Sequence, residues 1–282
     1  MQVKSLNIHG LSLICAEFGR PEAFPVFYFH GFPGCHTEGE LLGFKQLTMQ
    51  LNCRIICIDR PGMGGSEFDP DRRLTDWPAT VAAVADRLGI GKFSVMGLSG
   101  GGPYALAAAC MIPDRLYAAT VVSGMAPCHY PESHRDLAMS LPKQPVWLRK
   151  PMAGMFRAGV KHTPLWLARQ AVNILSEADR RLFSNQKILR RLLYTYSTAL
   201  AQGVRGYVHE ASIYRNYWGF DPADIMFPVQ LWHGTADRNV RIISAGRMAD
   251  ELADCRRTFI RGEGHFSLIV KYPERILKES VP

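Results

Sequence analysis

The residues most able to do chemistry in this 282-residue chain are a serine, a histidine and an aspartate that lie far apart. Ser99 lies in GLSGG (97–101), between a β-like run and an alanine-rich helical stretch. A serine hydroxyl is a weak nucleophile unless a base takes its proton, and His265 in RGEGHFS is the best-placed of nine histidines. The base needs a carboxylate behind it, and Asp237 at the end of LWHGTAD can supply one. The three residues therefore predict nucleophilic catalysis by a serine.

The glycines around Ser99 indicate how its hydroxyl would reach a substrate. The stretch fits the pattern G-x-S-x-G, which holds a serine on a sharp turn between a strand and a helix. A Cβ at Gly97 or Gly101 would collide where the strand and the helix approach each other. Leu98 and Gly100 flank the serine, and N–H groups at the start of the next helix favour developing negative charge. The pattern predicts a strained serine whose oxygen projects into a pocket.

Short apolar β-like runs alternate with helical runs along most of the chain. Such alternation predicts an α/β fold with right-handed crossovers and a mostly parallel, doubly wound sheet of about eight strands. The three chemical residues each follow a predicted strand, so the carboxyl edge of the sheet would bring them together. The predicted strands, the first two antiparallel, are 3–10, 11–19, 25–31, 54–60, 92–99, 117–124, 229–234 and 256–262. The main predicted helices are 37–51, 74–89, 101–111, 240–252 and 266–279.

The alternation stops between the sixth and the seventh predicted strand. Residues 128–220 contain helical stretches divided by prolines and no good strand, which predicts a helical cap over the carboxyl edge. The domain prediction is an α/β core of residues 1–127 and 221–282 with this cap inserted between them. We expect most cap aromatics to form a core of the cap itself and some to line a substrate pocket. They are Trp147, Phe156, Trp166, Tyr194, Tyr196, Tyr207, Tyr214, Tyr217 and Trp218.

The net charge of +8 is concentrated in the predicted cap. Residues 128–220 carry 14 Lys or Arg and 5 Asp or Glu, whereas the rest of the chain is nearly neutral. Solvated helix faces explain this best, and an anionic substrate or an acidic surface is the alternative. Nucleic acid is not expected as a partner, because no recognised binding motif accompanies the charge.

The remaining composition excludes several other classes of protein. With 47% hydrophobic and 21% charged residues, the chain is typical of a globular protein with a sizeable core. Its seven cysteines are scattered without metal-ligand spacing, so we expect buried thiols and neither a metal site nor disulfides. The first residues show no signal-peptide pattern, and no stretch is long and apolar enough for a membrane span. The sequence therefore predicts a cytoplasmic protein.

The order Ser99, Asp237, His265 resembles that of the α/β-hydrolase fold superfamily, and the resemblance covers essentially the whole chain. HGFPG (30–34) is similar to its oxyanion loop, and DRPGMGGS (59–66) to its glycine-rich turn. The motifs together most resemble capped serine hydrolases. The resemblance implies that the N–H groups of Phe32 and Gly100 form the oxyanion hole. The supporting loop residues would be His30, Gly31, Pro33 and Gly34.

The resemblance implies hydrolysis of a carboxylic ester, lactone or thioester through an acyl-enzyme, without metal or cofactor. Ser99 at the turn between strand and helix argues against haloalkane dehalogenases and epoxide hydrolases, which carry an aspartate at that position. GLSGG also lacks the tryptophan usual in prolyl iminopeptidases and the methionine that follows the serine in carbon–carbon bond hydrolases. A carbon–carbon hydrolase and a ligand-binding protein that does not turn over remain the alternatives. The partner would be a small molecule, anionic or hydrophobic; the sequence leaves its identity and the oligomeric state open.

Overall fold

One sheet of eight strands runs through the computed structural model, which describes residues 1–281. Its strands are β1 (Gln2–Ile8), β2 (Leu11–Phe18), β3 (Phe24–Phe29), β4 (Cys53–Ile58), β5 (Phe93–Leu98), β6 (Leu116–Val122), β7 (Val229–Gly234) and β8 (Cys255–Ile260). Across the sheet the order is β1-β2-β4-β3-β5-β6-β7-β8. β2 pairs antiparallel with β1 and β4, and the remaining neighbours are parallel. The predicted fold class is confirmed.

The strands near the sheet centre are buried on both faces, which explains their continuous apolar sequences. All six residues of β4 and of β5 are buried. On β3, Phe27 belongs to the apolar cluster on one face of the sheet and Tyr28 to the cluster on the other, as strand alternation requires. The helices that supply these clusters cover the two faces of the sheet, and in open α/β sheets ligands bind at the carboxyl edge that such helices leave free.

Twelve α-helices occur in residues 1–281. Those outside the β6–β7 connection are α1 (Glu38–Leu41), α2 (Phe44–Gln50), α3 (Trp77–Arg87), α4 (Gly102–Met111), α10 (Ile242–Glu251), α11 (His265–Lys271) and α12 (Pro273–Glu279). Two predicted helices are each divided in two. Gly43, with φ +71°, separates α1 from α2, and Pro273 begins α12 directly after α11. None of the described helices combines the length and apolarity needed to cross a bilayer.

The connection between β6 and β7 contains helices joined by loops, and the described residues 123–228 include no strand. Its helices are α5 (Val146–His162), α6 (Leu165–Ala171), α7 (Glu177–Phe183), α8 (Gln186–Ala199) and α9 (Arg205–Arg215). We call residues 128–220 the insert. The expectation that most of its aromatics form a core is wrong for four of the nine, which are largely exposed because they lie on outer helix faces and loops. These are Trp147, Trp166, Tyr194 and Tyr217.

Candidate active site

Ser99 lies at a strained turn between β5 and α4. Its φ is +53°, a conformation that L-residues rarely adopt and that functional sites often maintain. A Cβ at Gly97 would overlap the carbonyl group of Gly101, and a Cβ at Gly101 would overlap the carbonyl oxygen of Phe29. The two glycines therefore permit the close crossing of strand and helix that holds Ser99 in place.

A cavity of about 280 Å³ lies over Ser99. The predicted site residues that line it are Gly31, Phe32, Pro33, Leu98, Ser99 and His265. Six other predicted site residues do not line the cavity and lie behind or beside its wall. They are His30, Gly34, Gly97, Gly100, Gly101 and Asp237. The insert closes the cavity with Phe156, Tyr196 and Tyr207, among others. The cavity thus lies between the carboxyl edge of the sheet and the insert.

His265 and Asp237 form a buried pair. His265 Nδ1 donates to Asp237 Oδ2 at 2.8 Å, while Asp237 Oδ1 accepts from the N–H groups of Asn239 and Val240 at 2.8 and 3.0 Å. Because Nδ1 carries the proton, Nε2 remains available as a base. Among the described residues no hydrogen bond joins Ser99 to His265, so they share the cavity without direct contact in this conformation.

Burial and mutual attraction act in opposite directions on this pair. Burial alone would lower the pKa of His265, but the adjacent Asp237 carboxylate outweighs it and raises that pKa above 6.5. Burial would raise the pKa of Asp237, and the attraction of His265 outweighs it and lowers that pKa. The pair therefore favours a charged carboxylate behind an imidazole that readily accepts a proton.

Asp179, which the sequence analysis missed, positions the segment that begins with His265. Asp179 lies on α7 in the insert and is 1% exposed. Its carboxylate accepts from the N–H groups of His265, Phe266 and Ser267 at 3.0, 2.9 and 2.8 Å. These are the first three residues of α11, whose N–H groups have no partner within the helix. The insert thus caps the helix that carries the candidate base.

The two predicted oxyanion donors belong to peptide groups whose carbonyls are already hydrogen-bonded. Gly31 O, in the peptide group of the Phe32 N–H, accepts from His30 Nδ1 at 2.9 Å and Arg60 Nη2 at 2.8 Å. Ser99 O, in the peptide group of the Gly100 N–H, accepts from the Met125 N–H at 3.0 Å. These contacts fix the orientation of both peptide groups.

The loop 30–34, which the resemblance predicts to be the oxyanion loop, is closely packed on its other side. The Phe32–Pro33 peptide bond is cis. A Cβ at Gly34 would overlap the Glu38 carboxylate and the carbonyl oxygen of Gly31, so the backbone here packs too closely for a side chain. Glu38 itself was missed: it lines the cavity and accepts from the Gly31 N–H at 3.0 Å and from Tyr28 OH at 2.7 Å. Burial raises the pKa of Glu38 to about 7 against these hydrogen bonds.

A buried charged network behind the cavity was also missed. Glu210 on α9 accepts from Arg60 Nε at 2.7 Å and from Arg72 Nη2, and it also accepts from Tyr214 OH at 2.6 Å. Tyr214 OH lies 2.8 Å from Gly100 O. Burial would raise the pKa of Glu210, but the two guanidinium groups outweigh it and lower that pKa. Arg60 lies in the DRPGMGGS turn and Glu210 about 150 residues later, so no local sequence pattern could have linked them.

A cluster of potential metal ligands occurs beside the oxyanion loop. Ligand atoms of Cys35, His36 and Asp59 lie within 4.8 Å of one another. Asp59 already accepts from the N–H groups of His36 at 2.6 Å and Gly65 at 3.1 Å. Burial raises the pKa of the Cys35 thiol, which favours the neutral form rather than the thiolate that binds metals. These contacts favour a structural role, in which Asp59 holds the loops that contain His36 and Gly65 together by hydrogen bonds.

Comparison with known proteins bears on the family of the chain. A model of the alpha/beta hydrolase fold family matches residues 25–272. The chain is 32% identical to a proline iminopeptidase of Neisseria meningitidis serogroup A / serotype 4A over 137 residues, which are 48% of this chain and 39% of that protein. The alignment thus spans about two fifths of the length of this curated relative.

Two solved structures resemble the whole chain. An esterase, RhEst1, from Rhodococcus sp. ECU1013 has a TM-score of 0.72 at 17% identity, covering 99% of this chain and 97% of its own. A thermophilic esterase from Thermogutta terrifontis, solved with malate bound, has a TM-score of 0.71 at 22% identity, covering 99% and 96%. At such identities the likeness bears on the fold alone. With the family match over most of its length, the chain belongs to the alpha/beta hydrolase fold family.

Proposed function

We propose that the protein is a capped serine hydrolase that cleaves carboxylic esters, including lactones or thioesters, through an acyl-enzyme. The observation that carries the proposal is the shared cavity. Ser99, at its strained turn, and His265, which is paired with buried Asp237, both line this cavity. In this proposal residues 128–220 form the cap domain over the core, and the cytoplasmic location stays a prediction from the sequence.

The proposed reaction proceeds in two halves. Ser99 Oγ attacks the carbonyl carbon while His265 Nε2 takes the hydroxyl proton, and Asp237 offsets the charge of the imidazolium. The resulting oxyanion is held by the N–H groups of Phe32 and Gly100. The ester C–O bond then breaks, and His265 returns the proton to the leaving alcohol. Water, deprotonated by His265, attacks the acyl-enzyme and releases the acid and Ser99.

The nucleophile is tested by Ser99→Ala. We expect kcat/KM for p-nitrophenyl acetate to fall at least about 10³-fold, while the melting temperature stays near that of the wild type. Labelling by a fluorophosphonate, read by intact mass, should be lost with the activity. Turnover equal to the wild type in a clean Ser99→Ala preparation would refute the assignment.

The same assay separates the alternative functions. A prolyl arylamide is included because the chain is similar to a proline iminopeptidase over part of its length. Preference for that amide over every ester would replace the ester proposal by an amidase. One acylation without further turnover would indicate a ligand-binding protein, and cleavage of a diketone substrate would indicate a carbon–carbon hydrolase.

A further inference from the structure

A second cavity of about 360 Å³ opens beside the one that contains Ser99. It lies within the insert, between α5, α6 and α8. The two cavities share five wall residues, Phe156, Ile174, Tyr196, Asn239 and Phe266, so they adjoin at that boundary. A group bound at Ser99 that passes these side chains reaches this side cavity.

The wall of the side cavity is almost entirely apolar. Apart from Thr163 and the shared Tyr196 and Asn239, its lining is aliphatic, aromatic or glycine. Among the described residues, no Lys, Arg, Asp or Glu lines it. The basic residues of the insert lie mostly on its outer surface, as Lys161 and Arg169 do. A charged group in the side cavity would lose its hydration without gaining an opposite charge.

We propose that the side cavity binds a linear apolar chain of the ester substrate. This inference rests on the proposed function and chooses the hydrophobic class of substrate over the anionic one. Each methylene moved from water into such a site contributes about 0.8 kcal/mol, which corresponds to roughly a fourfold gain in kcat/KM. The chain can belong to the acyl or to the alcohol part of the ester, because both extend from the carbonyl held at Ser99.

The test uses a matched pair of glycines on α5. A Cβ at Gly159, in the side-cavity wall, would meet only Thr163 Oγ1 at 3.7 Å, and a Cβ at Gly154, outside that wall, would meet nothing within 4 Å. Gly159→Phe should fill the cavity, and Gly154→Phe is the control. Two series are compared, p-nitrophenyl esters of straight-chain acids and straight-chain alkyl acetates. The measured quantity is the ratio of kcat/KM for the octyl-length member to that for the shortest.

For the wild type and for Gly154→Phe we expect kcat/KM to rise steeply with chain length in at least one series, so that the ratio is large. In Gly159→Phe it should fall by at least about tenfold, since several methylenes lose their site. A flat response in both series of the wild type, or an unchanged ratio in Gly159→Phe, would overturn the inference. The series that responds identifies the part of the ester that carries the chain.

A binding measurement keeps the inference testable if no ester is hydrolysed. Octanamide, which is uncharged, should raise the melting temperature of the wild type and of Gly154→Phe but not that of Gly159→Phe. Shifts without hydrolysis would refute the proposed function and retain the side cavity as a binding site. Equal shifts, or none, in all three proteins would refute the side cavity.

A different observation carries a second inference, about Arg60. This side chain is fully buried and donates to His30 O at 2.7 Å and to Gly31 O at 2.8 Å. Gly31 O and the Phe32 N–H belong to one peptide group. A cation on the carbonyl of a peptide group polarises it and strengthens its N–H as a donor. We infer that Arg60 is a positioning residue that orients and strengthens the oxyanion donor at Phe32.

Arg60→Lys tests this inference because lysine keeps the charge but loses the planar fork that reaches both carbonyls. We expect kcat to fall between about tenfold and a hundredfold, with KM changed by less than about twofold. Affinity for a boronic acid, which mimics the tetrahedral oxyanion, should fall in parallel. Arg54→Lys is the control, since Arg54 is also buried and bonds Glu17 and one backbone carbonyl away from the cavity.

An unchanged kcat in Arg60→Lys, or an equal loss of kcat in Arg54→Lys, would overturn the role of Arg60. If Arg60→Lys does not fold, Glu210→Gln takes its place. This substitution weakens the bond between Glu210 and Arg60 Nε, and Glu210 does not contact the Gly31–Phe32 peptide group. The same fall in kcat at constant KM is then expected, and unchanged kinetics would contradict the inference.

Discussion

At the scale of single residues, the candidate site depends on how Asp237 is held. One carboxylate oxygen accepts from two backbone N–H groups, so the other faces His265 in a fixed direction. His233 lies on the same side, 3.6 Å from Asp237, and burial lowers the pKa of that histidine. A neutral His233 leaves His265 as the group whose proton Asp237 stabilises.

Asp237→Asn should therefore change the pH dependence of the reaction as well as its rate. The base must be unprotonated, so wild-type kcat/KM is expected to rise with pH through a midpoint above 6.5, the direction in which Asp237 shifts the pKa of His265. Asp237→Asn removes the largest of the charges that raise this pKa and leaves the weaker effects of Asp179 and Glu38 against burial, so the midpoint should move to lower pH. The plateau should fall at least about 10³-fold. Initial rates between about pH 5 and pH 9 measure both.

Glu263→Gln is the control for this profile. Glu263 lies two residues before His265 but pairs with Lys271 at 2.9 Å, so its loss should leave the midpoint in place. A midpoint that moves in Glu263→Gln and stays fixed in Asp237→Asn would reverse the assignment of the orienting carboxylate.

At the scale of elements, the strand–turn–helix unit around Ser99 leaves almost no free space. Eight of the ten residues of α4 are buried, and alanines make up much of the helix, which lets it pack closely on the sheet. Gly101 precedes α4, and its backbone passes against the end of β3 at Phe29. The geometry of Ser99 thus depends on contacts between backbones, which a side chain cannot relieve by changing rotamer.

Gly101→Ala should consequently destabilise the whole protein. The added Cβ would overlap backbone atoms of Phe29 and His30, so we expect the free energy of unfolding to fall by about 3 kcal/mol or more, with loss of activity. Gly246→Ala is the matched control, because a Cβ there would meet nothing within 4 Å on α10. It should stabilise by up to about 1 kcal/mol through helix propensity. Urea denaturation measures both, and equal effects would contradict the packing argument.

The boundary between α1 and α2 is a feature that the sequence pattern could not predict. The run 37–51 has helical spacing from end to end, so its periodicity could not reveal the break at Gly43. That break matters for the site, since α1 carries Glu38 into the cavity wall. The parallel strands were predicted well because burial on both faces leaves a continuous apolar run that any single sequence displays.

At the scale of the whole molecule, the sheet predicted from the sequence is confirmed, while the roles of the three chemical residues stay a prediction; the residues that support them could not be predicted. Ser99, Asp237 and His265 follow strands, and strand ends are recognisable locally. Asp179 and Glu210 act on partners 86 and 150 residues away, so their roles appear only when the insert is packed on the core. The basic excess of the insert was located correctly by sequence. Its exposure, and the absence of Lys and Arg from the lining of both cavities among the described residues, required the structure.

Two buried carboxylates, Asp179 on α7 and Glu210 on α9, hold the insert on the core. Moving α7 or α9 aside would leave the buried carboxylate of Asp179 or Glu210 without its hydrogen-bond donors, at a cost of about 1–3 kcal/mol or more for each group. The helix α6 has no buried charged contact among the described residues, supplies apolar wall to the side cavity and exposes Trp166. A substrate is therefore expected to reach Ser99 from solvent by passing beneath α6. On this path the apolar end of the molecule would enter the side cavity before its carbonyl group reaches Ser99.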